Sequence, residues 1–321
     1  MASRASKKKS SVLPVNVVEH KVTPPKVDKG APIVKKPRLG TTGAKKRDIP
    51  KGVWTKCPRC GAMNFDQVLE RSLNVCPNCD AHLSISPAKR IESLVDEGSF
   101  EEMDRNLRSK DVLNFTGVSS YEDKLQSYYK KTGDLDAVVT GIGSMSSRRV
   151  GLGVMNFSFL GGSMGAVVGE KLTRLIEKCT AESIPVIIIS SSGGARMYEG
   201  MFSLMQLAKT SAALACHSEK KLPYISILTN PTTAGVMASY ASLGDLIISE
   251  PGAMIGFAGP RVIRDTTQAE LPPGFQTAEF LMSHGFLDSI VHRERMKEFL
   301  TRAIEFLGKQ CKWDLPASDD S

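Results

Sequence analysis

The segment Pro185–Gly200 constrains the fold of this chain more than any other. Val186 to Ile189 is an unbroken β-branched run, which reads as a buried strand, and Tyr198 to Ala215 reads as the amphipathic helix behind it. Gly193 and Gly194 sit where strand becomes helix. With no side chains over them, their backbone N–H groups can point outward. Such donors can stabilise an oxyanion, either an enolate or a tetrahedral one. The same residues also suit a tight βα turn of any parallel-sheet protein, and this stretch alone leaves both readings open.

The pattern comes twice. Tyr224–Leu228 is a second short strand, Thr229–Gly235 a second turn, and Val236–Leu243 a second helical stretch. The two glycine turns lie 41 residues apart, close to one strand–helix–strand crossover. Adjacent parallel strands carry their C-terminal turns on one edge of the sheet, where ligands of α/β proteins bind. Two facing turns can therefore supply one N–H each to a single oxygen.

The chain has 321 residues, enough for one large domain with accessories. No apolar run reaches the roughly 18 residues of a transmembrane helix, and no charged-then-apolar signal peptide opens the chain, so a soluble, cytoplasmic protein is expected. Charge is unevenly spread. Residues 1–50 hold 13 Lys/Arg against 3 Asp/Glu, whereas residues from 91 onward are net acidic. The 1–50 segment lacks hydrophobic periodicity and reads as a basic disordered tail. Glu19 and Asp28 weigh against a transit peptide. Lys7–Lys9, Lys35–Arg38 and Lys45–Arg47 leave nucleic-acid binding open beside a merely solvated tail.

Four of the seven cysteines fall between 57 and 79. Cys57 and Cys60 form one CxxC, fifteen residues follow, and Cys76 and Cys79 form the second. Two such knuckles make a closed four-sulfur site, within the spacing of zinc ribbons. Redox pairs rarely come as two matched knuckles, and a reducing compartment disfavours disulfides. Residues 54–80 are thus expected to hold one structural Zn2+, with no open position for catalysis. Residues 81–135 read as a helical connector, 136–310 as the α/β domain and 311–321 as a flexible C-terminus.

Familiar chemistries are missing. There is no GxxxxGK[ST] loop, and Gly141-Ile-Gly143 and Gly151-Leu-Gly153 lack the third glycine of a dinucleotide fingerprint, so they read as strand-edge glycines. Ser192 lacks the GxSxG frame. The five histidines sit in no metal or triad spacing. Oxyanion turns without an evident nucleophile or base suit chemistry in which another molecule supplies the base.

The cysteine module, Phe159–Gly165, Ser192–Met197, Pro231–Gly235, Ile255–Arg261 and Leu271–Phe275 together resemble the β subunits of bacterial and plastid acetyl-CoA carboxylase carboxyltransferase. The likeness runs from about Trp54 to Leu307. It implies a crotonase-like spiral of ββα units preceded by the zinc ribbon. It also implies an α2β2 assembly with a carboxyltransferase α subunit, working with biotin carboxyl carrier protein and biotin carboxylase. The implied reaction moves a carboxyl group from carboxybiotin, supplied in trans on the carrier, to acetyl-CoA, giving malonyl-CoA for fatty-acid synthesis. ATP and nucleotide binding come with the complete carboxylase.

Carried over by position, Gly193 and Gly194 match the family's first glycine turn, and Ala234 and Gly235 its second, where Gly-Gly is usual. These four are the expected catalytic positions. Ala234 departs from the pattern but keeps its N–H. Arg196 is offered for CoA phosphates, with a structural ion pair as the alternative. Gly161 and Gly162 are offered for CoA contact, with close packing as the alternative. Two other functions compete: nucleic-acid binding by the ribbon and tail, and a crotonase-type hydratase or isomerase using Glu199 as its acid.

Overall fold

The computed structural model describes residues 53–268 and 270–311, apart from the side chains of Pro260 and Arg261. The expected 1–50 tail and nearly all of the 311–321 terminus lie outside the described residues.

Strands β1 (Trp54–Lys56) and β2 (Met63–Phe65) pair antiparallel, and α1 (Asp66–Arg71) follows. Next comes α2 (Pro87–Glu92), which opens with Pro87 after an N-cap serine: the Lys89 N–H donates to Ser86 Oγ at 3.4 Å. Strand β3 (Glu101–Met103) and helix α3 (Tyr121–Thr132) complete the segment read as a connector. It does more than connect, because β3 pairs with the main sheet and Tyr121 and Leu125 are fully buried.

Strands β4 (Val138–Met145) and β5 (Arg148–Met155) form an antiparallel hairpin. Its two-residue turn, Ser146 and Ser147, has φ of 51° and 63°, the handedness that matches strand twist. Then α4 (Ala166–Glu182), β6 (Val186–Ser192), α5 (Met201–Glu219) and β7 (Tyr224–Thr233) alternate. After them come α6 (Ala234–Met237), β8 (Leu246–Ser249), β9 (Ile255–Gly256), α7 (Pro260–Thr267), α8 (Ala278–Ser283), β10 (Ser289–Ile290) and α9 (Met296–Leu307). Sheet order is β10-β8-β7-β6-β5-β4-β3, with β9 beside the outer end of β7. Strands β5 to β8 and β10 run parallel.

Both faces of this sheet are covered, as the continuous apolar run of β6 requires. Val186 and Ile188 pack with Leu172, Leu175 and Ile176 of α4, while Ile187 and Ile189 pack with Met296, Leu300 and Ile304 of α9. Each such side chain contributes about 1.5–3 kcal/mol by leaving water. Gly151 lies inside β5 rather than at an edge. A Cβ there would stand 2.1 Å from Cys179 Sγ, so this glycine lets α4 lie close on the sheet.

The second strand–turn–helix unit departs from expectation. β7 continues through Thr229–Thr233, because Thr232 and Thr233 pair with β9. The helix behind it shrinks to the four residues of α6 and a 3-10 turn at Tyr240–Ser242.

Candidate active site and zinc centre

The cysteine module folds as two matched knuckles. The Cys57 N–H donates to Ala62 O and the Gly61 N–H to Cys57 O; the Cys76 N–H donates to Ala81 O and the Asp80 N–H to Cys76 O. Gly61 and Asp80, the residues after each CxxC, both take positive φ, 75° and 54°. This shared turn brings all four Sγ atoms within 4.8 Å of one another. Cys57 and Cys79 Sγ are 3.7 Å apart, and Cys60 and Cys76 Sγ 3.8 Å. Zn–S bonds of about 2.3 Å in a tetrahedron put sulfurs about 3.8 Å apart, so the donor set fits one structural Zn2+. The module is tied to the α/β domain through Arg293, whose Nη1 donates to Leu73 O at 2.7 Å and Leu83 O at 3.0 Å.

Cys76→Ser is therefore expected to release zinc and unfold residues 54–80, which cannot bury enough core without metal. The sheet domain should stay folded. Metal analysis and circular dichroism check this; zinc near zero in reduced, metal-replete wild type would reject the assignment.

The carboxyl ends of β6 and β7 carry the two turns side by side, with Ser192 opposite Thr232. An account of their N–H groups decides what each can do. The Gly193 N–H donates to Gly161 O at 2.9 Å, and the Gly194 N–H to Ser192 Oγ at 3.0 Å. The Ala234 N–H donates to Phe257 O at 2.9 Å. Among the described residues the Ala195 and Gly235 N–H groups have no partner. They are neighbours: a Cβ on Gly235 would stand 3.5 Å from Ala195 N, and one on Gly194 3.4 Å from Gly235 N. Three of the four expected donors are thus engaged inside the protein, and the free pair is Ala195 with Gly235. The sequence does not single out Ala195, because its signal is the glycines, of which Gly193 and Gly194 shape the turn and spend their own N–H groups doing so.

Two β-bridge bonds hold Ala195 in place: the Met164 N–H donates to Gly194 O at 2.8 Å, and the Arg196 N–H to Met164 O at 2.9 Å. Gly162 packs closely under the turn, since a Cβ there would come within 2.0 Å of Ser191 O; Gly161 supplies the carbonyl for Gly193. Ala234, at φ 51°, sets its methyl against Gly194, whose own φ is 115°. A Cβ at 194 would come within 2.5 Å of the Ala234 Cβ. Only one of the two positions can carry a methyl. Gly194→Ala should cost about 1–3 kcal/mol from overpacking on top of its backbone strain. Adding Ala234→Gly should recover the packing part, which chemical denaturation of both variants measures.

Against the expectation of a CoA phosphate contact, the Arg196 guanidinium is fully buried behind the first turn. Its Nη2 donates to Asp136 Oδ1 at 2.6 Å and to Ser163 O at 2.9 Å. Its Nη1 donates to Ser109 Oγ at 2.9 Å, Tyr121 Oη at 3.0 Å and Glu199 Oε1 at 3.2 Å. Burial opposes this charge, and Asp136 more than offsets it, so the pKa of Arg196 lies above its ordinary value. Glu199 is committed as well. Its Oε1 also accepts from Tyr121 Oη at 2.6 Å, and its Oε2 accepts the Ala166 N–H, at the start of α4, at 2.5 Å. It holds the turn and helix together and is not placed as a free acid for water addition.

Comparison with known proteins places this geometry. Residues 85–273 match the Carboxyl transferase domain family, and residues 54–79 the Acetyl-CoA carboxylase zinc finger domain. Fold and site together define a carboxyl transferase. Acetyl-coenzyme A carboxylase carboxyl transferase subunit beta of Methylacidiphilum infernorum is 54% identical over 272 residues, which cover 85% of this chain and 98% of that one. The chloroplastic subunit of Pyropia yezoensis is 52% identical over 261 residues, 81% and 91% of the two chains. The chain belongs to this family of acetyl-CoA carboxylase carboxyl transferase β subunits.

Solved structures share the fold alone. A transcarboxylase 12S with methylmalonyl-coenzyme A bound gives a TM-score of 0.59 at 24% identity; the match covers 70% of this chain and 42% of that one. A Pseudomonas malonate decarboxylase heterodimer gives 0.54 at 20% identity, over 73% and 88%. The crotonase-like α/β fold expected from the sequence is the fold observed.

Proposed function

We propose that this chain acts as the β subunit that, with an α subunit, transfers the carboxyl group of carboxybiotin to acetyl-CoA and forms malonyl-CoA. One observation carries the chemistry: two adjacent N–H groups without a partner among the described residues, Ala195 and Gly235, at the carboxyl ends of neighbouring parallel strands. They bind the thioester oxygen and, as the α-proton leaves, the enolate oxygen, where preorganised donors lower the barrier. Carboxybiotin on its carrier supplies the CO2 and, once freed of it, the ureido nitrogen that takes that proton. The Arg196 network fixes the turn in advance, so no reorganisation is needed when charge develops. Fixing the two substrates side by side supplies much of the remaining acceleration.

Gly193, Gly194 and Ala234 act in this reading as the frame of the two donors. Gly161 and Gly162 support that frame, and Gly161 is open enough to touch CoA, since a Cβ there would meet nothing within 4 Å. The α2β2 assembly, the biotin carrier, biotin carboxylase and ATP binding by the whole carboxylase rest on the resemblance, and a cytoplasmic location on the sequence pattern. The expected domain limits rest on the pattern of the sequence. Among the described residues no helix is long and apolar enough to cross a membrane.

The test is reconstitution. Purified chain, cognate α subunit and carboxylated carrier should convert acetyl-CoA to malonyl-CoA; no carboxyl exchange in the assembled complex would sink the reading. Nucleic-acid binding is a second reading, supported by the exposure of Lys56, Arg59 and Arg71 on the ribbon. It predicts affinity that falls steeply with salt and drops when those three residues are neutralised.

A further inference from the structure

A small cavity lies between His82–Ile85, which follows the zinc module, and the carboxyl ends of β5 to β8. It belongs to the α9 face of the sheet, where Val154 and Ile189 line it. Its polar walls include Arg90, Arg293, Glu250, His82, Ser191 and Asn230. Arg90, Arg293 and Glu250 are all buried, so two cations share one carboxylate away from water. Every nitrogen of Arg293 is engaged: its Nε and Nη2 donate to the two Glu250 oxygens at 2.7 and 2.6 Å, and its Nη1 serves Leu73 O and Leu83 O. Arg90 is not. Its Nη1 donates to Glu250 Oε1, and among the described residues its other nitrogens have no partner.

Other donors around the cavity are equally unspent. The His82 side chain is 2% exposed, and Nδ1 lies 3.4 Å from Glu250 Oε2. Neither ring nitrogen is in hydrogen-bond geometry with any group. Asn230 spends its Oδ1 on the Met254 N–H, which leaves Nδ2 free, and Ser191 Oγ makes no hydrogen bond among the described residues. Burial lowers the pKa of Arg90; Glu250 supports its charge and Arg293 opposes it. A buried positive charge with spare donors calls for a counter-charge, because an uncompensated ion in a low-dielectric interior is costly.

We propose that this cavity binds one small anion, held by Arg90, His82, Ser191 and Asn230. Its volume of about 20 Å3 admits one atom-sized guest, a halide or a single oxygen of phosphate or a carboxylate. Neither Ala195 nor Gly235 lines this site, and it goes beyond the carboxyl-transfer reading. Its ligand would fasten the zinc module to the sheet, since His82 bridges to Val75 of the module and Arg293, which lines the cavity, holds the module's Leu73 O.

The experiment is thermal unfolding of the zinc-loaded full chain in sodium chloride, bromide, phosphate or acetate, against gluconate at matched ionic strength. Anion binding to the folded state alone raises Tm with ligand concentration. A rise in chloride and bromide identifies a halide site, and a rise in phosphate or acetate identifies an oxyanion site. In either case Arg90→Gln or, should that fail to fold, His82→Gln must flatten the rise. A bromide soak adds a readout that needs no variant: an anomalous peak within hydrogen-bond distance of Arg90. Equal Tm in all salts with no such peak overturns the proposal, and so does a rise that both folded variants retain in full.

Discussion

Gly235→Pro is expected to slow malonyl-CoA formation by about 10²–10³-fold, or about 2.7–4 kcal/mol, the usual cost of losing one oxyanion donor. The substitution deletes an N–H that is unused among the described residues, so it removes no hydrogen bond among them. Proline also restrains the preceding residue, and Ala234 sits at φ 51°, so folding and association with the α subunit must be shown intact first. Two controls separate donation from crowding. Gly235→Ala keeps the N–H but sets a Cβ 3.3 Å from the Ala195 Cβ, a tight approach, and should have an intermediate effect. Ala234→Gly should be near neutral, because that N–H is already engaged with Phe257 O. An assembled Gly235→Pro complex working within about threefold of wild type would move the donor elsewhere.

Arg196→Met should destabilise the chain by about 3–5 kcal/mol, the penalty for stranding a buried partner charge. Asp136 and Glu199 would lose their shared cation, while Ser163 O would lose its donor. Pairing the change with Asp136→Leu should recover part of the loss, since the stranded carboxylate is then gone as well. Urea unfolding of the single and double variants measures this. A single-variant loss below about 1 kcal/mol would mean the network is solvated rather than closed. The conservative Arg196→Lys tests the positioning role: a lysine cannot span Asp136, Ser109 and Tyr121 together. Its kcat should fall with acetyl-CoA KM nearly unchanged, whereas a simple folding defect would lower the active fraction alone.

The sequence by itself determined the parts governed by local chemistry. Two CxxC knuckles at ribbon spacing leave little freedom, and the four sulfurs meet at tetrahedral distances. The β-branched run of Val186–Ile189 became a central strand because only a position covered on both faces satisfies it. Paired glycine turns 41 residues apart fell on adjacent parallel strands, as one crossover dictates. What the tertiary structure alone decided is where each polar group finds its partner. Nothing local tells that Gly161 O takes the Gly193 N–H, or that Phe257 O takes that of Ala234; those carbonyls arrive from distant loops. Once they arrive, the free donors become Ala195 and Gly235. Arg196 likewise reads equally as a CoA contact or a structural ion pair until Asp136, 60 residues earlier, is packed against it. The length of β7 was hidden for the same reason, because β9 is what pairs with its last residues. A hydrogen-bond donor's availability is what remains after every neighbour has claimed its share, and the neighbours are known only when the chain has folded.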